Sequence, residues 1–198
     1  MLSLPTLFAP AILHVRLMMD HPEAVICVGE QYQKQTLRNR TYFLTPQGAT
    51  PFTIPVERFG YPSPATSEIS LAEHDHWRHR LEEALRSSYC STPYWLYYED
   101  QVISLCRCEE GGRLMDFNQR WLAFILGEWD IPLPSVVAEW SQDLDHHAEV
   151  ALPSSLEGHE LPRYWQVFED QNGFIPNLSA LDLLFHLGLE GRLYLNKL

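Results

Sequence analysis

The stretch Gln31-Tyr32-Gln33-Lys34-Gln35-Thr36-Leu37-Arg38-Asn39-Arg40 holds three cations and no acid, in a chain with 26 acidic and 14 basic side chains and a net charge of −12. Guanidinium forks suit bidentate binding of phosphate or carboxylate, and an exposed tyrosine can stack on a sugar or base. If the stretch is extended, Tyr32, Lys34, Thr36, Arg38 and Arg40 share one face. If it is helical, Lys34 and Arg38 still stack four residues apart. The competing reading is a solvated edge strand guarded against pairing by its Lys and Arg. Like charges this close repel, so the cluster makes most sense when an anion arrives. Arg38 is therefore expected at the surface, with Arg38→Ala weakening anion binding while leaving stability within about 1 kcal/mol.

Other reactive residue types are thinner. His74, His76 and His79 surround the start of an expected helix, and His76 and His79 could share a face with Glu83. Nothing completes a four-ligand zinc set, so exposed histidines are the plainer reading and no metal is expected. His146-His147 reads as solvated. Cys106-x-Cys108 reads as helix packing, and Cys27 as a buried thiol within Ala24-Val25-Ile26-Cys27-Val28. There is no G-x-S-x-G elbow, P-loop or G-x-G-x-x-G. Asp116, Asp143 and Asp182 are scattered, so no catalytic pair and no cofactor can be named.

The elements that must position these residues follow from periodicity. Residues 2–8 read as a strand or extended start, 11–19 as a helix opened by Pro10, and 24–28 as a β-branched strand buried on both faces. That strand–helix–strand unit favours parallel pairing and puts the cationic stretch at a strand's carboxyl end, where open α/β sheets place ligands. Strands 40–45 and 50–56 flank the turn Thr45-Pro46-Gln47-Gly48, so the sheet is expected to be mixed. A loop at 57–67 precedes helices at 70–88, with a capping box from Ser70 and Glu73, then at 94–108 and 114–127. The last carries Leu114, Phe117, Trp121, Phe124 and Ile125 as one stripe. A weaker strand at 136–140 leads to a long polar connection, 141–162, which in a compact domain suggests a flap. Ser179 and Asp182 suggest a capping box for a closing helix that stops at Gly188. The fold class is thus α/β: a mixed sheet opening with a strand–helix–strand unit, a β-hairpin, then mostly helices.

The 198 residues, 45% hydrophobic and 12% aromatic, suit one folded domain spanning 1–198. The acidic balance disfavours nucleic acid and anionic membranes as partners. Pro5 and Pro10 interrupt the N-terminal apolar stretch, which lacks a basic start and a cleavage site, and no run of 18 apolar residues exists. A cytoplasmic location without a membrane span is the expectation.

Gln31-Tyr32-x-Lys34-x-x-x-Arg38-Asn39-Arg40 is similar to a Q-Y-x-K-x-x-x-R-N-R stretch of the WbqC-like family. Thr50-Pro51-Phe52-Thr53-Ile54-Pro55-Val56 resembles that family's second strand. Residues 77–98, with Arg86-Ser87-Ser88 and Pro93-Tyr94, resemble its central helix pair. Gly173-Phe174-Ile175-Pro176-Asn177-Leu178-Ser179-x-Leu181-Asp182-Leu183-Leu184-Phe185 is similar to its closing block. Two departures stand out: extra residues between Ser88 and Pro93, and Leu13-His14 where the family carries an aromatic pair.

The resemblance implies a place in O-antigen-type surface-polysaccharide biosynthesis. It suggests a transferase acting on an activated sugar, whose diphosphate Lys34, Arg38 and Arg40 would hold. Tyr32 would then stack, while Gln31, Gln35 and Asn39 orient polar groups. Asn177, Ser179 and Asp182, at a helix start with free N–H groups, would face the same cleft. The alternative is a non-catalytic accessory protein of the same pathway, using the aromatics Tyr94, Trp95, Tyr97 and Tyr98 and helix 114–127 as its contact face.

Overall fold

The computed structural model describes residues 1–107, 111–139 and 144–198. Cys108, Trp140 and Asp143, each part of an expectation above, lie outside them. The class is α/β. β1 (Leu2–Pro5) passes through α1 (Ile12–Asp20) to β2 (Val25–Cys27). β5 (Ser135–Val137) and β6 (Asp145–His146) complete a parallel sheet of order β5-β2-β1-β6. Among the described residues the antiparallel strand pair is a separate hairpin of β3 (Arg40–Thr45) and β4 (Gly48–Thr53), so the two kinds of sheet pairing occupy two sheets rather than one. Gly29, just past β2, permits this packing: a Cβ there would lie 2.2 Å from the Ala138 carbonyl oxygen beyond β5.

Helices α2 (Trp77–Tyr89), α3 (Trp95–Cys106) and α4 (Leu114–Gly127) follow the hairpin. The whole expected stripe of α4 is buried, where Phe117 and Trp121 pack edge-on or tilted against Phe8 and Trp77. That burial takes the apolar stripe of α4 out of any contact face, while Asp116, Arg120 and Ala123 stay exposed. Helix α2 starts at Trp77, not near Ser70, because residues 70–72 are pinned as extended chain. Ser70 bridges Arg113, Leu71 N–H donates to Gly112, and Ala72 N–H donates to Pro55. Glu73 binds Arg78 and the Gly111 N–H and makes no capping box with Ser70.

The connection read as a long polar stretch, a flap or a flexible segment, carries β6 and two 3-10 turns, at Ala148–Ala151 and Pro153–Leu156. A short α5 (Glu169–Asn172), then α6 (Ala180–Leu187) and α7 (Gly191–Leu195), close the chain. Gly188 ends α6 at φ +55°, and a Cβ there would lie 2.6 Å from a Tyr94 ring carbon. Gly188→Ala should therefore destabilise by about 1–3 kcal/mol in urea denaturation. Gly158→Ala, also at positive φ but in open space, should cost less.

Candidate functional site

Up to Asn39 the segment carrying the cations is neither strand nor helix, and Arg40 opens β3. After Gln31 bridges Ala65, residues 34–39 wind through turns, with Gln35 left-handed at φ 61°. Leu37 anchors them, its carbonyl accepting from Phe8 N–H and its N–H donating to Ala151. A shared cationic face cannot form on such a path. Arg38 is fully buried, contrary to the surface position expected for it. Its Nε donates to Glu30 Oε1 at 2.8 Å, its Nη2 donates to the same oxygen, and its Nη1 donates to Thr36 at 3.4 Å.

The other Glu30 oxygen takes a proton from His146 Nε2 at 2.8 Å, and His146 Nδ1 lies 3.0 Å from Ser3 Oγ. A carboxylate only accepts, so Nε2 carries the proton and Nδ1 accepts from Ser3. Hydroxyl, imidazole and carboxylate in line look like a nucleophile relay. Ser3 is fully buried in β1, however, and Arg38 already neutralises Glu30. The cluster is an internal clamp joining β1, β6 and the exit of β2. His146 is thus not solvated as expected; His147 is half-buried and paired with Glu149 and Asp145, which raise its pKa.

The remaining candidates scatter. Tyr32 is buried edge-on to Phe59, and desolvation pushes its phenol up to about 12, so it cannot stack on a ligand. Asn39 is buried with its amide donating to Ile54. Gln31, Lys34 and Gln35 are exposed, the Lys34 ammonium 4.6 Å from the Phe59 ring centre. Arg40 is half-buried, donates to Thr53 Oγ1 at 3.0 Å, and lines a small cavity.

That cavity is where the chain's two ends meet. Ala9, strained at φ 40°, offers its carbonyl to Thr41 Oγ1 and Ser179 Oγ at 2.8 and 3.0 Å. Ile12 N–H donates to Leu178, Leu13 N–H to Asn177 Oδ1, Ser179 N–H to Tyr42, and Ala180 N–H to Pro10. These bonds consume the helix-end donors expected to be free. At α6, Leu181 N–H goes to Ser179 Oγ and Asp182 N–H to the Ser179 carbonyl. Asn177 and Ser179 therefore act as ties between the ends. Asp182 lies in a separate, fully buried cluster, accepting from Tyr164 and from Gln166 at 3.0 Å beside His186. Desolvation raises its carboxyl pKa. It does not face a cleft.

Above the small cavity opens a cleft of about 390 Å³. Its walls are Tyr42 and Ala49 of the hairpin, Leu156, Glu157, Gly158 and His159, and Ile175, Pro176 and Asn177. Tyr42 and Leu156 line both spaces; Arg40, His14 and Ser179 line the lower one. The volume lies in the range of small-molecule sites. Buried His14 has both ring nitrogens in use: Nδ1 accepts from Ala11 N–H at 3.4 Å and Nε2 contacts Ser155 Oγ at 3.3 Å. Ser155 Oγ donates to Val150, so it accepts the His14 proton. Desolvation, with His159 nearby, lowers the His14 pKa to about 4. His14 is thus a neutral strut, and it stands where the family carries part of its aromatic pair.

The exposed His159 donates from Nε2 to Ser155 O at 3.0 Å, leaving Nδ1 to accept. The cleft offers an aromatic and aliphatic wall, a carboxylate and an imidazole, and the small cavity beside it a half-buried guanidinium. Tyr42, Glu157 and His159 were missed from sequence; the one signal was the Glu157-Gly158-His159 run within the suspected flap. Among the described residues, no group of three His, Cys, Asp or Glu side chains could hold a metal ion. No helix among them is long and apolar enough to cross a membrane.

A parallel α/β sheet with a separate hairpin walling a cleft defines the class of protein. The model of the WbqC-like protein family matches residues 6–153, and the chain belongs to that family. The matched span includes residues 31–40, the hairpin and α2 to α4, and ends before the cleft's far wall at 175–178. No curated protein and no solved structure matches the chain.

Proposed function

We propose that this chain, acting as one cytoplasmic domain over residues 1–198, binds a nucleotide-linked sugar in the 390 Å³ cleft. It would modify that sugar by group transfer during surface-polysaccharide synthesis of the O-antigen type. The family's name, which points toward polysaccharide biosynthesis, supports the pathway. The observation that carries the binding reading is the cleft itself, with Tyr42 as a platform for a sugar ring; Arg40 lines the small cavity beside it, which shares Tyr42 and Leu156 with the cleft. Glu157 and His159 can bond sugar hydroxyls from the rim. Of the three cations in residues 31–40, Arg40 is the candidate for the diphosphate, because Arg38 is paired and Lys34 stands on Phe59.

The second reading, a non-catalytic accessory protein, draws support from α3, where Leu96 and Tyr97 are 82% and 78% exposed. It loses the apolar stripe of helix 114–127 and the buried Trp95 and Tyr98 from its contact face. Calorimetric titration with a panel of nucleoside-diphosphate sugars separates the two. Arg40→Ala should weaken binding by about 1.5–3 kcal/mol, the value of a charge-assisted hydrogen bond, and Lys34→Ala by much less. Equal losses from both substitutions, or no binding at all, would favour the accessory reading.

A further inference from the structure

The middle of the cleft's far wall hangs on one side chain. Among the described residues, the only main-chain hydrogen bonds made by residues 174–177 are the two between Ile175 and Gln166. Ile175 N–H donates to Gln166 Oε1 at 2.9 Å, and Gln166 Nε2 donates to the Ile175 carbonyl at 3.0 Å. A side-chain amide thus stands where a neighbouring strand would. The strip follows Gly173 at φ 69° and ends with Asn177 at φ 53°, and Ile175, Pro176 and Asn177 line the cleft.

Gln166 is itself aimed from below. It is buried, and its Nε2 also donates to Asp182 Oδ2 at 3.0 Å and to the Tyr164 hydroxyl oxygen at 3.2 Å. Tyr164 gives its own proton to the same Asp182 oxygen. The other titratable groups facing the carboxyl are His186 of α6 and Tyr89 of α2. His186 Nε2 accepts from Val167 N–H at 3.0 Å, so the ring proton sits on Nδ1 and goes to the Asp182 carbonyl at 2.7 Å. Both phenol oxygens already accept, Tyr164 from Gln166 and Tyr89 from Leu44 N–H at 3.1 Å. Asp182 Oδ1 is buried without a hydrogen-bond partner. The cluster is built of donors to a carboxylate and holds no open acceptor for a carboxyl proton. Burial meanwhile pushes the Asp182 pKa up.

We propose that Asp182 is a proton-operated latch on the far wall of the cleft. Ionised, it orients Gln166, which holds Ile175 in place. Protonated, it gives up the Tyr164 and Gln166 bonds that end on Oδ2, and the strip 174–177 loosens. The device belongs to the wall and not to any ligand, so it stands or falls apart from the nucleotide-sugar reading.

The test is an NMR titration of the ligand-free wild-type chain from about pH 8 to about pH 4.5, which stops above the His14 transition near 4. It follows the Asp182 carboxyl carbon, the Gln166 side-chain amide and the Ile175 backbone amide. All three should share one midpoint. Through it the hydrogen-exchange protection of Ile175 should fall by about tenfold, while that of Leu37, bonded to Ala151 elsewhere, holds. Tyr164→Phe strips one donor from the carboxylate and should raise the shared midpoint by about one to two pH units. Asp182→Asn should keep the Ile175 amide at its acid-form shift at every pH; should that variant not fold, the wild type and Tyr164→Phe decide. The latch is overturned if Asp182 titrates without moving Ile175, or if the midpoints differ. It is equally overturned if Asp182 keeps its charge throughout this range, or if Tyr164→Phe leaves the midpoint where it was.

Discussion

Arg38→Ala is expected to destabilise the fold by about 3–5 kcal/mol, the cost of breaking a buried ion pair from one side. The guanidinium is wholly enclosed, and Glu30 spends both oxygens on Arg38 and His146. Removing it leaves a carboxylate that is itself only 11% exposed without its main counter-charge, and frees Thr36 Oγ1 of a donor. The Arg38 backbone carbonyl also accepts from Asn118 of α4 at 2.8 Å, so a local shift would reach the core. Arg38→Lys should recover only part of the loss, because an ammonium cannot donate twice to one oxygen and once to Thr36 in this geometry. Urea denaturation measures all of this against Lys34→Ala, an exposed cation of the same segment, which should change stability by less than about 0.5 kcal/mol. An Arg38→Ala protein as stable as the wild type would mean that the clamp is not holding the sheet.

The second large effect is an acid sensitivity centred on His14. In the fold its imidazole stays neutral down to about pH 4, because burial penalises the cation, whereas the unfolded chain protonates near 6.5. Between those values the unfolded state binds more protons than the folded one, so stability rises with pH. The contribution is intact above pH 6.5 and is lost as pH falls toward 4, by at most about 3 kcal/mol. His14→Gln keeps a donor near Ser155 and cannot titrate, so its stability should lose this slope. Asp182, with its raised pKa, works in the opposite sense and is unchanged in both proteins; the difference between the two curves therefore isolates His14. Parallel curves for wild type and variant across pH 4 to 6.5 would contradict the strut reading.

What could be read from the sequence was whatever is local. β3 ends where Thr45-Pro46-Gln47-Gly48 turns the chain, and α4 follows its stripe from Leu114 to Gly127. The cationic segment was misjudged because its partner sits just outside it: Glu30 immediately precedes Gln31, and His146 is 116 residues away from Glu30. No spacing rule joins them; only the parallel pairing of β1 with β6 does. Ser179 does cap α6, but Ser70 and Asp182 did not act as capping residues, for the same kind of reason. Ser70 found a strand-like partner in Arg113, and Asp182 found Tyr164 and Gln166, each tertiary contact outweighing a local preference. The cleft was invisible because its walls come from the hairpin, the 153–159 turn and residues 175–178, apart in sequence and individually unremarkable in type.

The most direct test of the binding account is a crystal structure of the chain with a nucleoside-diphosphate sugar, such as UDP-N-acetylglucosamine. The account predicts the sugar ring against Tyr42 between Glu157 and His159, with a phosphate oxygen on Arg40. A nucleotide seated instead on Lys34 at the outer surface, with the cleft filled only by solvent, would contradict it.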